Sequence, residues 1–481
     1  MTAELKMNFI AGEWLAGTDV NRNINPSDTS DVVGEYARAD EQQTLQAIDA
    51  AFEARLPWQR RTAEERSDAL DRIGTEILAR RDELGRLLSR EEGKTLAEGI
   101  GEATRAGRVF KFFAGEALRL GGEKLASIRA GVEVDVVREA EGVIGIITPW
   151  NFPIAIPAWK IAPALAYGNT VVFKPADLVP GSAWALAEIV VRAGALPAGV
   201  FNLVMGSGSK VGNTMVTSPK VRAMTFTGST GTGRQIGLRC MERGAKVQLE
   251  MGGKNPLVIL DDADLEQAVS VAVNGSFYST GQRCTGSSRL IVQDDIHDRF
   301  IAAVVERMAA LRTDHALKDG TDIGPVASKD QLDQDLFYIA SAKEEGGRIA
   351  AGGELLQREH QGFYLSPALI VETHNAMRVN REEVFGPVAS VIRVKDYDEA
   401  LAIANDTEFG LSSGICTTSL KHASDFKRNS TAGMVMVNVP TAGVDYHAPF
   451  GGRKGSSYGS REQGSYAREF YTAVKTTYTQ A

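Results

Sequence analysis

At 481 residues the chain is too long for one compact core and is expected to divide into two or more domains, each with its own apolar interior. Apolar residues make up 43% and charged residues 24%, both ordinary for a soluble globular protein, and the net charge of −8 invites no polyanion, so nucleic-acid binding is not expected. The three cysteines, Cys240, Cys284 and Cys416, are too sparse and odd in number for a disulfide framework and fit a reducing cytoplasm. The opening residues Met1 to Lys6 lack a basic segment leading into an apolar run, so no signal peptide is read there. The uncharged stretch Val143 to Trp159 is interrupted by Pro149, Pro153 and Pro157 and is too short to span a bilayer. Six scattered histidines have no ligand spacing, and no metal is expected.

From about Ala39 to Glu116 the pattern is helical, with Leu45, Ile48, Ala51 and Phe52 forming one apolar stripe and Ile73, Ile77, Leu78 and Leu84 continuing the period opposite a charged face. Val132 to Arg138 alternates at period two like an exposed strand, and Phe470 to Tyr478 matches it at the end of the chain. Two such edge strands are expected to pair into a small arm that reaches another subunit. Between them runs a βαβ series: strands at Val143 to Thr148, Thr170 to Phe173, Val200 to Met205, Ala223 to Phe226 and Val247 to Glu250, with helices at Ile154 to Tyr167 and Ser182 to Ala193. This alternation predicts a parallel sheet covered on both faces. A second alternating set begins near Asp264, with strands at Arg289 to Val292, Val388 to Val394, Gly414 to Thr417 and Met434 to Asn438.

Two glycine runs invite a nucleotide reading. Gly206-Ser207-Gly208-Ser209-Lys210-Val211-Gly212 follows a strand and opens a helix but is one residue longer than the usual dinucleotide fingerprint, and Gly231 to Gly237 misses in the same way. Phe226-Thr227-Gly228-Ser229 adds a Gly-Ser at a helix start, where N–H groups and a hydroxyl can face a pyrophosphate. Three further segments carry chemistry. Gly281-Gln282-Arg283-Cys284-Thr285 sets one cysteine in a glycine-entered loop, and a thiol that is reachable and ionisable can act as a nucleophile. Leu249-Glu250-Met251-Gly252-Gly253-Lys254 ends an apolar strand on a carboxylate, a costly placement without a role. Pro149-Trp150-Asn151-Phe152-Pro153 supplies a side-chain amide suited to an oxyanion. Cys240 and Cys416 read as small buried hydrophobes.

With the opening Asn8 to Trp14 and the run Pro449 to Lys454, these segments resemble the aldehyde dehydrogenase superfamily over nearly the whole chain. The resemblance implies an α/β fold with a Rossmann-like nucleotide domain (1–121 and 141–252), an α/β catalytic domain (253–447) and a small β oligomerisation arm (122–140 and 460–481), assembled as a homo-oligomer, dimer or tetramer. It implies Cys284 as the nucleophile passing through a thiohemiacetal and a thioester, and Asn151 with the Cys284 backbone N–H as oxyanion donors. Glu250 would activate water, and Lys160 would assist its proton relay. The implied cofactor is NAD, contacted by Ile147, Thr148, Pro149, Trp150, Gly208, Gly212, Phe226, Gly228 and Ser229. Lys174-Pro175-Ala176-Asp177 resembles the family element whose lysine and acid meet the adenosine ribose. A carboxylate on the 2′-hydroxyl repels a 2′-phosphate and favours NAD over NADP, while the short Asp177 leaves NADP open. Glu382-Glu383-Val384-Phe385-Gly386-Pro387 resembles the element whose second glutamate, Glu383, and phenylalanine, Phe385, touch the nicotinamide ribose and ring.

The implied substrate funnel takes Phe152, Ile156, Trp159, Arg283, Thr285, Tyr446, His447 and Phe450. The run Pro449 to Gly459, with Arg461-Glu462-Gln463-Gly464, is most similar to the α-ketoglutaric semialdehyde (2,5-dioxopentanoate) dehydrogenase branch, which forms 2-oxoglutarate in sugar-acid breakdown. Arg283 is the leading candidate to meet the carboxylate of such a substrate. Succinate semialdehyde or a broad aldehyde range are the alternatives. A CoA-acylating relative is disfavoured by Glu250, and a non-catalytic one by the intact set Cys284, Glu250 and Asn151.

Overall fold

The computed structural model describes residues 4–480. The helical stretch resolves into four helices, Glu41–Gln59, Ala63–Ala79, Arg81–Glu92 and Leu96–Leu118. Two of their starts are capping boxes, Thr62 with Glu65 and Thr95 with Glu98, in which each side chain satisfies the other residue's backbone N–H. The buried stripe of the first helix is Thr44, Ala47, Ile48 and Ala51; Leu45, expected on it, is rotated out and 43% exposed.

Five parallel strands form the centre of an eight-stranded sheet, in the spatial order Lys246–Glu250, Val221–Thr227, Val143–Ile147, Thr170–Lys174, Phe201–Leu203. Antiparallel strands flank them: Ser457–Tyr458 at one end, Asn8–Ile10 and Glu13–Leu15 at the other. The order reverses beside Val143–Ile147, so a crevice opens at the carboxyl ends of the strands, where an open α/β sheet places its ligand.

Five residues after Glu250 the chain enters a second, seven-stranded sheet, ordered Arg348–Ala351, Ala368–Thr373, Val388–Val394, Ser287–Gln293, Asn255–Ile259, Ser412–Cys416, Met434–Val437. All its pairings are parallel except the first, which is antiparallel. Its first strand in the chain starts at Asn255, before the expected Asp264, and the strands Arg348–Ala351 and Ala368–Thr373 were not foreseen. Both are short apolar runs, Ile349 to Ala351 and Ala368 to Val371, with no period of their own to mark them as strands.

The two terminal segments do pair, from Thr472 opposite Ala140 to Gln480 opposite Val132, in a three-stranded antiparallel sheet completed by Glu123–Ala126. The last strand is Thr472–Gln480 and begins later than expected, because Phe470 and Tyr471 lie in a short helix, Arg468–Tyr471, and are buried in the core of the first sheet. No helix among the described residues is long and apolar enough to cross a membrane.

A buried ionic cluster sets the turn that leaves Val143–Ile147. Lys94 Nζ lies 3.2 Å from Glu102 Oε2 and 3.5 Å from Glu92 Oε1, donates to the carbonyl of Asn151 and sits 3.9 Å from the Phe152 ring centroid. The other Glu102 oxygen accepts from the N–H groups of Ile154 and Ala155, closing the amino end of the helix Ala155–Ala166, which has no side-chain cap of its own. Burial pushes the Glu92 carboxyl up to about 7 against the pull of Lys94. Lys94→Met would leave two buried acids without their cation, a loss of about 3–5 kcal/mol. Chemical unfolding should show a clearly lowered midpoint; an unchanged midpoint would mean the cluster does not hold this turn.

Candidate active site

Each segment singled out in the sequence sits where the carboxyl ends of the first sheet face the amino ends of the second. Pro149 to Asn151 follow Val143–Ile147, Gly228 and Ser229 follow Val221–Thr227, and Met251 to Lys254 join Lys246–Glu250 to Asn255–Ile259. From the other side, Cys284 precedes Ser287–Gln293, and Glu383 and Phe385 precede Val388–Val394.

The cysteine loop is strained and tightly held. Ser279, Thr280 and Gly281 all take left-handed conformations, at φ of 53°, 56° and 65°. At Gly281 a Cβ would come 2.1 Å from the Gly386 carbonyl oxygen, so only glycine fits. Glu98 Oε1 accepts from Ser279 N at 2.7 Å and from its hydroxyl at 3.0 Å. Asn151 Nδ2 donates to the Gln282 carbonyl at 3.0 Å, and Asn255 Nδ2 donates to the carbonyls of Cys284 at 2.8 Å and Gly286 at 2.9 Å.

Cys284 is a free, half-buried thiol that lines two cavities at once. One, of about 220 Å³, is walled by Phe152, Trp159, Arg283, Thr285 and Phe450 together with Arg105, Asn274 and Ala442 to Val444. The other, of about 210 Å³, is walled by Pro149, Trp150, Asn151, Gly228, Ser229, Glu383 and Phe385, joined by Met251, Gly252, Gln331 and Gln334. Desolvation pushes the thiol up to about 12, and the charges of Glu383 and Glu250 add to it, while the backbone N–H groups of Thr285 and Cys284 pull it down.

Glu250 is 3% exposed and accepts from the Ser457 hydroxyl at 2.6 Å. Burial first, then the charge of Glu462, raises its carboxyl well above the ordinary range. Lys160, expected beside Glu250, instead bonds Glu462 directly and donates to Thr225 Oγ1 at 2.7 Å. The charges of Glu462 and Lys160 act on Glu250 in opposite directions, the first raising its carboxyl and the second lowering it. Glu462 and Ser457 come from the C-terminal run, whose sequence was read only for its likeness to a family. Glu383 accepts from Gly253 N–H at 2.8 Å, and its carboxyl is pushed up to about 7, chiefly by burial. Phe385 takes a left-handed φ of 65° and meets the Trp150 ring edge-on, 5.4 Å between centroids.

A third cavity, about 560 Å³, opens at the other end of the crevice, between Ile147, Lys174, Gly208, Gly212, Gln235 and Arg239. A dinucleotide fits these residues. Gly208 and Gly212 leave the floor open, and a Cβ at Gly212 would stand 3.6 Å from Ile147 and 3.8 Å from Lys174. Nearby, the buried hydroxyls of Thr148 and Thr227 have no partner among the described residues. Asp177 is not on the cavity wall; its carboxylate is 2.9 Å from Arg38 and 3.9 Å from Lys174. Phe226 faces away as well, packed under Gly228 and Gly233 in the core.

Three funnel expectations also miss. Ile156 is 1% exposed in the core, because on its helix the positions that line the cavity with Phe152 are Ala155 and Trp159. Tyr446 packs against Phe112 at 6.1 Å and His447 packs beside Tyr446, both outside the cavity lining. Arg283 lines the cavity but already has a partner, Glu98, at 3.5 Å.

A family model for the aldehyde dehydrogenase family matches residues 14–477. The chain is 43% identical to the alpha-ketoglutaric semialdehyde dehydrogenase of Bacillus subtilis (strain 168), over 98% of this chain and 97% of that one. It is 41% identical to the alpha-ketoglutarate semialdehyde dehydrogenase of Haloferax volcanii, over 98% of each. Among solved structures, betaine aldehyde dehydrogenase from Staphylococcus aureus in complex with NAD+ superposes with a TM-score of 0.96 at 34% identity, over 99% of this chain and 94% of that one. Sequence motifs, two facing α/β sheets and a thiol between two cavities agree with these likenesses: the chain belongs to the aldehyde dehydrogenase family.

Proposed function

We propose that this enzyme oxidises 2,5-dioxopentanoate to 2-oxoglutarate with NAD(P), with Cys284 as nucleophile. The observation that carries this reading is the position of one thiol on the shared wall of two cavities, one for an aldehyde and one for a nicotinamide. The named activity of the Bacillus and Haloferax relatives supports the substrate.

The Cys284 thiolate attacks the aldehyde carbon and a C–S bond forms. The oxyanion that results is met by the Asn151 side-chain amide and the Cys284 N–H. A bound nicotinamide would supply the acceptor for the hydride that leaves this carbon, and Cys284 would then carry a thioester. Glu250 then takes a proton from water, the hydroxide adds to the thioester, and the acid departs as the C–S bond breaks and the thiolate returns. A burial-raised carboxyl is a stronger base than an exposed one, which suits Glu250 to this step and favours hydrolysis over transfer to CoA. Glu383 and Phe385 would hold the ribose and ring of the nicotinamide, with Trp150 packed on Phe385. In solution the enzyme would be a homo-oligomer joined through the terminal sheet, which leaves Leu125, Val474 and Tyr478 exposed.

Stopped-flow measurement of Glu250→Gln should show a first NADH equivalent followed by a stall, because acylation proceeds without the base while hydrolysis does not; Cys284→Ser should lose turnover by at least about 10³-fold. Undiminished turnover in either variant would refute the assignment.

The wild-type rate should rise with pH as Glu250 loses its proton, since only its ionised form can accept one from water. Glu462→Gln removes a charge that raises the Glu250 carboxyl, so the rising limb should move to lower pH. A limb that stays in place or moves upward would show that Glu462 does not act on Glu250.

At the adenosine end, no acid lines the cavity and Arg38 engages Asp177, so the repulsion expected of a 2′-phosphate is weak. NADP should serve as well as NAD, and Arg239→Ala should raise the KM for NADP about tenfold more than that for NAD. Equal effects on the two would remove Arg239 from that role.

A further inference from the structure

Resting on the reading that the substrate is a semialdehyde carrying a carboxylate, we propose that Arg105 is the residue that anchors that carboxylate in the cavity that holds Cys284. Arg105 lies on the helix Leu96–Leu118, a stretch whose charges read in sequence as a solvated face. It nevertheless stands on the wall of the cavity that holds Cys284. Among the described residues it has no carboxylate within 4.0 Å. Its guanidinium donates to two neutral acceptors only, the Val444 carbonyl and Gln463 Oε1, the latter at 3.0 Å. Its Nε is buried with no acceptor, and Trp159, 94% buried on the same wall with the guanidinium 5.8 Å from its ring, likewise has an indole N–H without one. The other cation of the cavity, Arg283, faces Glu98 at 3.5 Å and donates to the Asn274 carbonyl, so its charge is already met.

A half-buried guanidinium with a buried Nε, held only by neutral groups, is costly unless an anion completes it. Its planar fork suits a carboxylate, which can accept from two of its N–H groups. Of the remaining lining, Phe152, Ala155, Trp159, Val444 and Phe450 are apolar, Asn274 and Thr285 are neutral, and Arg283 is paired with Glu98, so one cation without an ionic partner on a mainly apolar wall selects for an acid at one end of the substrate and an aldehyde at the other.

The test compares kcat/KM for succinate semialdehyde with that for butanal, which has the same chain length and no carboxylate, in wild type, Arg105→Gln and Arg105→Lys. The wild type should favour the acidic substrate. The ratio should fall about ten- to hundredfold in Arg105→Gln, through KM, and recover in part in Arg105→Lys. Glutarate should protect Cys284 from iodoacetamide in the wild type and lose that protection in Arg105→Gln. A merely structural defect would lower both substrates together and leave the ratio intact, and that outcome overturns the proposal. So does unchanged protection by glutarate. A wild type with no preference for the acidic substrate overturns the substrate reading as well, whereas a preference kept in Arg105→Gln overturns Arg105 alone.

Discussion

The site depends on the immobilisation of one strained loop between two sheets. Residues 278–286 carry the thiol, and three consecutive left-handed residues turn the chain so sharply that the loop would not hold its shape alone. Its carbonyls and N–H groups are taken up by side chains from distant segments: Glu98 on an N-terminal helix, Asn151 at the end of a strand of the first sheet and Asn255 at the start of a strand of the second. Each of these residues is fixed in turn. Glu98 closes the capping box of its own helix, Asn151 is held through its carbonyl by Lys94, and Asn255 Oδ1 accepts from Ser412 N–H. The loop is therefore a keystone of both sheets, and the position of Cys284 follows from the way the sheets meet.

That meeting also explains the electrostatics. The crevice between the strand ends is largely shut to water, and it gathers Glu250, Glu462, Glu383 and Lys160 within it. Removal from water raises the carboxyls of Glu250 and Glu383 and the thiol of Cys284 together. The same burial that makes the proposed base stronger leaves the proposed nucleophile protonated at rest. Because Glu383 and Glu250 are the charges that hold the thiol up, protonating either of them, or screening Glu383 by a ligand in its cavity, would ease thiolate formation.

Much of this could be read along the chain, since its signals are local. A Gly-entered cysteine, an acid closing an apolar strand and an amide between prolines are each visible within five or six residues, and all three converge in space. The alternation of strands and helices foretold parallel sheets, because crossovers demand that spacing. What could not be read is orientation. Ile156 and Ala155 are neighbours on one helix, yet only Ala155 reaches the cavity; Leu45 sits one position off the buried stripe; Phe226 ends the right strand but points to the core. Single-residue rotations of this kind are set by the packing partner, which lies far away in sequence.

Charged residues mark the sharpest divide. Lys94, Glu102 and Arg105 look in sequence like parts of a solvated face, because periodicity counts apolar positions and treats a charge as exposed by default, and Glu462 lies in a run with no period to place it. In the folded molecule Lys94 and Glu102 neutralise each other, Glu462 pairs with Lys160, and Arg105 alone is left facing neutral groups in the aldehyde-side cavity. The amino-acid order by itself determined the family, the strand and helix alternation and the parts list of the chemistry, since these rest on local pattern. Only the tertiary structure decided which charges are buried, which are paired and which are met by neutral groups alone, since desolvation and pairing are properties of the space between segments that the chain brings together from hundreds of residues apart.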